Sequence, residues 1–245
     1  MRAVGQVIRL SGRNSSMLKS ELIAKNPLRV FDQQREGGLG PGQTGLIAAR
    51  AGTGKTALLI QIALDNLFRG NPVLHVSVGE TVNHIQAWYE EIFRDLAHDY
   101  DLEMARQVWE ESVRNRLILT FRAGAFSSET LKERLGDLTE QGIFNPRVMV
   151  VDGLDLHREK KEAFESLRDF ARQSGLKVWV AIRTHRDDGS IGDLVTPIES
   201  FFNVVLSIEA TGDGIKLTAV KNPSRPESTE SVTLDPKTLL LINRT

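Results

Sequence analysis

An α/β fold with a mostly parallel central sheet is the class this sequence predicts, and three observations predict it. Short β-branched apolar runs alternate with longer segments whose apolar residues recur at helical spacing. One strand-to-helix junction carries a glycine-rich loop, Ala49-Arg50-Ala51-Gly52-Thr53-Gly54-Lys55-Thr56. The final stretch changes to apolar runs separated by tight-turn residues, the mark of antiparallel hairpins. Strands alternating with helices imply right-handed crossovers and a sheet covered on both faces. With 245 residues, 40% of them hydrophobic, the chain can bury the core of one large domain without a second.

Residues 1–44 read as an N-terminal arm and leader, and residues 45–245 as a single domain. Ser15-Ser16 offers a cap for a short helix over 17–24, which Asn26-Pro27 stops. The turn-rich run Gly37-Gly38-Leu39-Gly40-Pro41-Gly42 leads into the first strand, although its composition alone fits a flexible linker equally well. The first strand is apolar over 46–49, and the helix after the glycine-rich loop runs to about Phe68, stopped at Gly70-Asn71-Pro72. A buried strand follows over 73–78. Val82, Ile85, Tyr89, Ile92 and Leu96 then recur at helical spacing, and a second helical pattern covers about 102–114.

Further strands are predicted over 117–121, 147–152 and 177–182. Between them lie helices marked by Leu131, Leu135 and Leu138, and by Ala163, Leu167 and Phe170. Gly212-Asp213-Gly214 joins the runs 204–208 and 215–220 as a hairpin, and Asp235-Pro236 joins 232–234 to 239–242 as a second one.

The loop at 49–56 fits the phosphate-binding pattern in the strand–loop–helix context that the pattern requires. Gly52 and Gly54 allow the backbone to turn its N–H groups inward, and the helix adds the positive end of its dipole. Residues Arg50 through Ala57 (Arg50, Ala51, Gly52, Thr53, Gly54, Lys55, Thr56 and Ala57) are the nucleotide-binding candidates. Lys55 is placed to reach the terminal phosphates, and the Thr56 hydroxyl to ligate Mg2+.

Ligands of open parallel sheets sit beyond the carboxyl ends of the strands, so polar residues there are the next candidates. Asp152 closes the most hydrophobic strand and is placed to hold Mg2+ through a water; the plain alternative is a solvated strand-end carboxylate. Glu80 follows another strand, where it can orient or deprotonate the water attacking a γ-phosphate, or simply favour the start of the next helix. Asp155, three residues further on, reads as a loop acid ahead of a second metal ligand. Thr184 and His185 are placed to sense the γ-phosphate, although a lone histidine is more often structural.

A net charge of −1 gives no overall attraction to nucleic acid. The absence of cysteine excludes disulfides, thiolate catalysis and cysteine-held metals. No apolar run reaches the length of a membrane span and the N-terminus lacks a signal-peptide core, so a cytoplasmic location is the expectation.

Taken together these motifs resemble the RecA-like P-loop ATPases, in particular the ATPase domain of DnaB-type replicative helicases and the KaiC-type proteins. The resemblance lies in A-A-R-A-G-T-G-K-T-A-L-L-I-Q-I-A around the loop, V-V-D-G-L-D-L at 150–156 and V-S-V-G-E-T at 76–81. Less specific likeness extends it to about 28–242, including the entry G-G-L-G-P-G and the segment 198–208 before the hairpin. It implies Mg-dependent ATP hydrolysis in a homo-oligomer whose sites are completed by a neighbour. Glu80 is then the general base, and Lys221 and Arg225 are trans-acting fingers on the neighbour's γ-phosphate.

The sequence departs from the family in two places. Arg183 or Thr184 stands where the helicases carry a glutamine that couples nucleotide state to DNA. Pro223 stands in the finger segment where an arginine is expected. Nothing in the sequence resembles the helicases' N-terminal domain. An ATPase that is not itself a processive helicase is the leading reading, ahead of a nucleotide-dependent switch or scaffold with slow hydrolysis. A DNA-acting recombinase or helicase accessory comes third, since 183–192 holds few cations for a single-strand groove. A nucleotide kinase is weaker still, without an arginine-rich lid.

Overall fold

Glycine and tryptophan set the centre of the sheet. Gly45 lies on strand β1 (Thr44–Arg50) beside Trp179 of strand β5 (Lys177–Thr184). A Cβ at Gly45 would collide with the indole ring, so the glycine lets a fully buried Trp179 lie over its neighbour strand. The remaining strands are β2 (Val73–Val78), β3 (Arg116–Phe121), β4 (Val148–Asp155), β6 (Val204–Thr211), β7 (Gly214–Lys221) and β8 (Ser231–Leu234). This is a computed structural model, and it describes residues 15–26, 28, 38–185, 190–212, 214–222 and 231–240.

Among the described residues, eight strands form one sheet in the order β3-β2-β4-β5-β1-β6-β7-β8. The first six of that order are parallel, and β7 and β8 pair antiparallel. The helices are α1 (15–24), α2 (Lys55–Phe68), α3 (Val82–Leu96), α4 (Leu102–Val113), α5 (Ser128–Glu140), α6 (Lys161–Ser174) and the short α7 (Ile191–Val195).

Handedness assigns each helix to a face. Crossovers from β1 to β2 and from β2 to β3 run one way along the sheet, while those from β3 to β4, β4 to β5 and β5 to β6 run the other way. Right-handed connections therefore put α2, α3 and α4 on one face and α5, α6 and α7 on the opposite face. The core divides accordingly. Leu58, Ile62, Ile85, Tyr89 and Val108 share one cluster, which α1 joins through Leu18 and Leu22. Leu131, Leu135, Phe164, Leu167 and Ile191 belong to the other.

Helix α2 is buried along its whole length from Ala57 to Phe68. Its polar residues are accordingly partnered: Asp65 pairs with Arg69 at 2.8 Å, and the Asn66 amide donates to the Ile62 carbonyl. On β2, His75 and Tyr89 of α3 meet in the core at 3.1 Å, with the Arg116 guanidinium over the Tyr89 ring.

The expected strands and helices are present, with two differences at the C-terminal end. The hairpin partner of β8 is β7. Residues 239–240, expected to return as a strand, instead follow a turn at 236–238 and lie against α2, and 241–242 lie outside the described residues. Leu239 has a φ of 56°, which no strand accommodates, and the Gln61 side chain donates to the Thr238 and Leu239 carbonyls. Its buried side chain packs against Gly54, where a Cβ would not fit.

Candidate active site

The phosphate loop follows directly from β1. Gly52 and Gly54 have φ values of 75° and 96°, conformations that only glycine adopts without strain. Thr53 turns its hydroxyl inward to the Arg50 carbonyl at 2.8 Å, bracing the loop. Gly54 is the cap of α2 and supplies no side-chain partner, so the first N–H groups of a 14-residue helix stay open to an anion. Lys55 Nζ donates to the carbonyls of Ala49 at 3.1 Å and Arg50 at 2.6 Å. Burial lowers its pKa to about 8, opposed by the charge of Asp152 and assisted by that of Arg183. Arg50, Ala51 and Gly52 face outward, where a cavity of about 540 Å³ opens between the loop, Ser190 and Ile191 of the α7 start, and Glu209 and Ala210 of β6.

Asp152 reaches this loop from β4. Its Oδ2 accepts from Thr56 Oγ1 at 2.6 Å and its Oδ1 from the Gly153 amide at 2.8 Å. Burial pushes the Asp152 carboxyl up, and the charge of Glu80 pushes the same way, against the pull of Thr56, Gly153 and Lys55. A β-bulge sits here, because Asp152 and Gly153 together oppose one residue of β5. Gly153 has a φ of 89°, and a Cβ on it would run into the Val78 carbonyl of β2.

The extra residue keeps Val151 and Leu154 in the same core cluster, so Asp155 emerges on the same side as Asp152. The donor set of the Thr56 hydroxyl and one carboxylate is all oxygen, the type that a hard Mg2+ ion takes alongside phosphate oxygens and water. Ser77, the register partner of Asp152, adds a buried hydroxyl without a partner among the described residues.

Glu80 lies beyond β2, after Gly79 at a φ of 94°. Its exposed carboxylate accepts from His84 Nδ1 at 2.6 Å. At the end of β5, Arg183 donates to Asp155 at 2.6 Å, and His185 Nε2 lies 3.3 Å from both oxygens of the same carboxylate. Burial opposes ionisation of Asp155, but Arg183 together with bonds from the His157 amide and His185 holds its pKa at about 2. Thr184 is buried on the opposite side of the strand with Val180 and Ile182, and its hydroxyl has no partner among the described residues.

Lys221 lies elsewhere. It pairs in register with Val205, near the amino end of β6 and away from the phosphate loop of its own chain. Its Nζ donates to the carbonyls of Glu199 and Phe202 at 2.9 and 2.8 Å. Arg225 and Pro223 lie outside the described residues.

The structure thus brings the loop, Asp152, Glu80, Arg183 and His185 to one sheet edge. Sequence reasoning missed three participants. Gly153 was legible as the residue after a strand-end aspartate. His84 was legible only as the residue four positions past Glu80. For Leu239 no local signal marks contact with the loop.

No curated protein matches the chain. The family model for KaiC ATPases matches residues 25–177, more than half of the sequence, and that span holds the phosphate loop, Glu80 and Asp152. With a RecA-like sheet order and these motifs at one edge, the chain belongs to the KaiC family of P-loop ATPases.

Proposed function

We propose that the chain binds Mg-ATP and hydrolyses it within a homo-oligomer, and that it is not itself a processive helicase. The observation that carries this reading is the 2.6 Å bond from Thr56 to buried Asp152 at the open end of α2, with Glu80 one strand away. Arg50 through Ala57 cradle the phosphates, and Lys55 exchanges its two carbonyl partners for phosphate oxygens. Thr56 and Asp152 would hold Mg2+ between them. The ion, when bound, offsets charge developing on the transferred phosphoryl group. Glu80 orients the attacking water and accepts its proton. Asp155 holds Arg183 and His185 near the γ-phosphate as sensors, a role in which Thr184 takes part only if its buried side chain turns. Lys221 and Arg225 act on the γ-phosphate of a neighbouring copy.

A slow nucleotide-dependent switch is the second reading. It is favoured by the engagement of Lys221 with its own backbone carbonyls and of Arg183 with Asp155, which occupies the cations that would stabilise the transition state.

Phosphate release and nucleotide retention, measured over ATP, GTP, ADP and AMP at several protein concentrations, test both readings. Lys55→Ala should abolish binding and turnover, and Glu80→Gln should abolish turnover while retaining nucleotide. Full activity in either variant refutes the assignment. A site shared between copies loses specific activity on dilution. Near-zero turnover with tight ATP binding selects the switch. Single-stranded DNA that neither binds at low salt nor stimulates turnover rules out a DNA motor.

A further inference from the structure

Three side chains form a line along the start of α3, each four residues from the last. Glu80 Oε2 lies 2.6 Å from His84 Nδ1, and Trp88 Nε1 donates to His84 Nε2 at 3.2 Å. An indole nitrogen only donates, so His84 Nε2 must present its lone pair. The ring is therefore neutral with its proton on Nδ1, the nitrogen that faces Glu80. The tautomer is assigned by its partners, and both bonds are then satisfied at once.

Two members of the line are held from behind. Trp88 packs its ring against the core cluster on the α2 side, so its N–H is a fixed donor and not a drifting surface group. The His84 backbone is pinned in the first helical turn, where its amide donates to the Thr81 hydroxyl at 3.3 Å. Glu80, by contrast, stands outside the helix, after a glycine at positive φ, on a long side chain. Left alone it would sample many rotamers.

Stability does not account for the arrangement. The Glu80 and His84 side chains are each 52% exposed, and such surface pairs contribute little to folding. What the line does is restrict one carboxylate. Glu80 follows the carboxyl end of β2 with one residue between, and β2 pairs there with β4 at Asp152, so Glu80 stands at the sheet edge where the phosphate loop lies. His84 engages Oε2 and leaves Oε1 as the acceptor.

We infer that His84 is the positioning residue for Glu80, and that Trp88 sets the histidine tautomer which lets it act. The inference rests on Glu80 being the general base. His84 neither touches the nucleotide nor takes up the proton: its Nδ1 already carries one, and its Nε2 is occupied by the indole. Its effect is to raise the fraction of Glu80 conformers aimed at the attacking water, which enters kcat and not nucleotide affinity.

Steady-state kinetics and imidazole 15N spectroscopy on the full chain test this. His84→Ala should lower kcat about ten- to a hundred-fold with KM for ATP nearly unchanged. His84→Asn, whose amide donates from a position close to that of Nδ1, should recover most of that loss. Trp88→Phe should lower kcat a few-fold. In the 15N spectrum the wild-type His84 should be the Nδ1–H tautomer, and Trp88→Phe should shift it toward the Nε2–H form; that readout needs no turnover. Wild-type kcat in His84→Ala, alongside an inactive Glu80→Gln, overturns the inference and leaves the general-base reading standing. A tautomer unchanged by Trp88→Phe overturns the role of the indole. Activity in Glu80→Gln removes the general-base reading itself, whatever His84 does.

Discussion

His75 makes the protein sensitive to mild acid in a way that can be calculated. The ring is fully buried on β2, bonded to the Tyr89 hydroxyl. Burial, and secondarily the charge of Arg116, lower its pKa from 6.5 to about 3. A histidine depressed in the folded state binds its proton more readily in the unfolded chain. The stability associated with the neutral ring is therefore complete above the unfolded value and is lost as the pH falls from 6.5 towards 3. Between about pH 7.5 and pH 5 the loss is roughly 1.5 pH units at 1.36 kcal/mol each, or about 2 kcal/mol.

His75→Gln removes the titration but keeps an amide that can meet the Tyr89 hydroxyl. The assay is urea unfolding, followed by tryptophan fluorescence at both pH values for both proteins. Any fixed cost of the substitution cancels when only the change with pH is compared, as do carboxylates that titrate equally in the two chains. The wild type should lose about 2 kcal/mol more than the variant. Parallel losses, or a His75 resonance that titrates at its ordinary pH in the folded protein, would refute the reasoning.

Gly153→Ala should be among the most damaging single-methyl changes, costing about 2–4 kcal/mol, because it combines positive φ with a clash on the Val78 carbonyl; thermal unfolding measures the loss, and nucleotide titration should show weaker binding as Asp152 moves from Thr56. Asp155→Asn should cost about 1–3 kcal/mol by weakening charge-assisted bonds to Arg183 and His185, read by urea denaturation. Leu239→Ala should cost about 2–3 kcal/mol through lost burial against Gly54, read in the same way.

Much of the fold was legible because the signals are local. The phosphate loop announces itself through Gly52, Thr53, Gly54, Lys55 and Thr56 in consecutive positions, and the stop signal Gly70-Asn71-Pro72 falls just past the end of α2 at Phe68. What was not legible depends on distance in the chain. Asp155 reads as a loop acid until the bulge at Asp152 and Gly153 turns it to Arg183, 28 residues away. The run 239–242 reads as a strand because it is apolar, but Gln61, 178 residues earlier, holds the Leu239 carbonyl against α2. Thr184 and Arg183 are adjacent in sequence and face opposite sides of the sheet, a distinction that strand register resolves and composition does not.

The strand order explains why the site extends over four strands. Ligands of open α/β sheets bind where neighbouring strands send their following connections to opposite faces. This sheet has two such places among β2, β4, β5 and β1, because β2 and β1 lead to helices on the α2 face while β4 and β5 lead to the other. The phosphate loop occupies one switch point, at β1 beside β5. The pair Asp152 and Glu80 occupies the other, at β4 beside β2. Helix α2 leaves β1 and crosses towards β2, carrying Thr56 over β5 to the carboxylate on β4. The bulge at Gly153 then becomes a requirement of the topology. Without an extra residue, Asp155 would face away from Arg183, and the two crevices would lose the Asp155–Arg183 ion pair that links the neighbouring strands β4 and β5 between them.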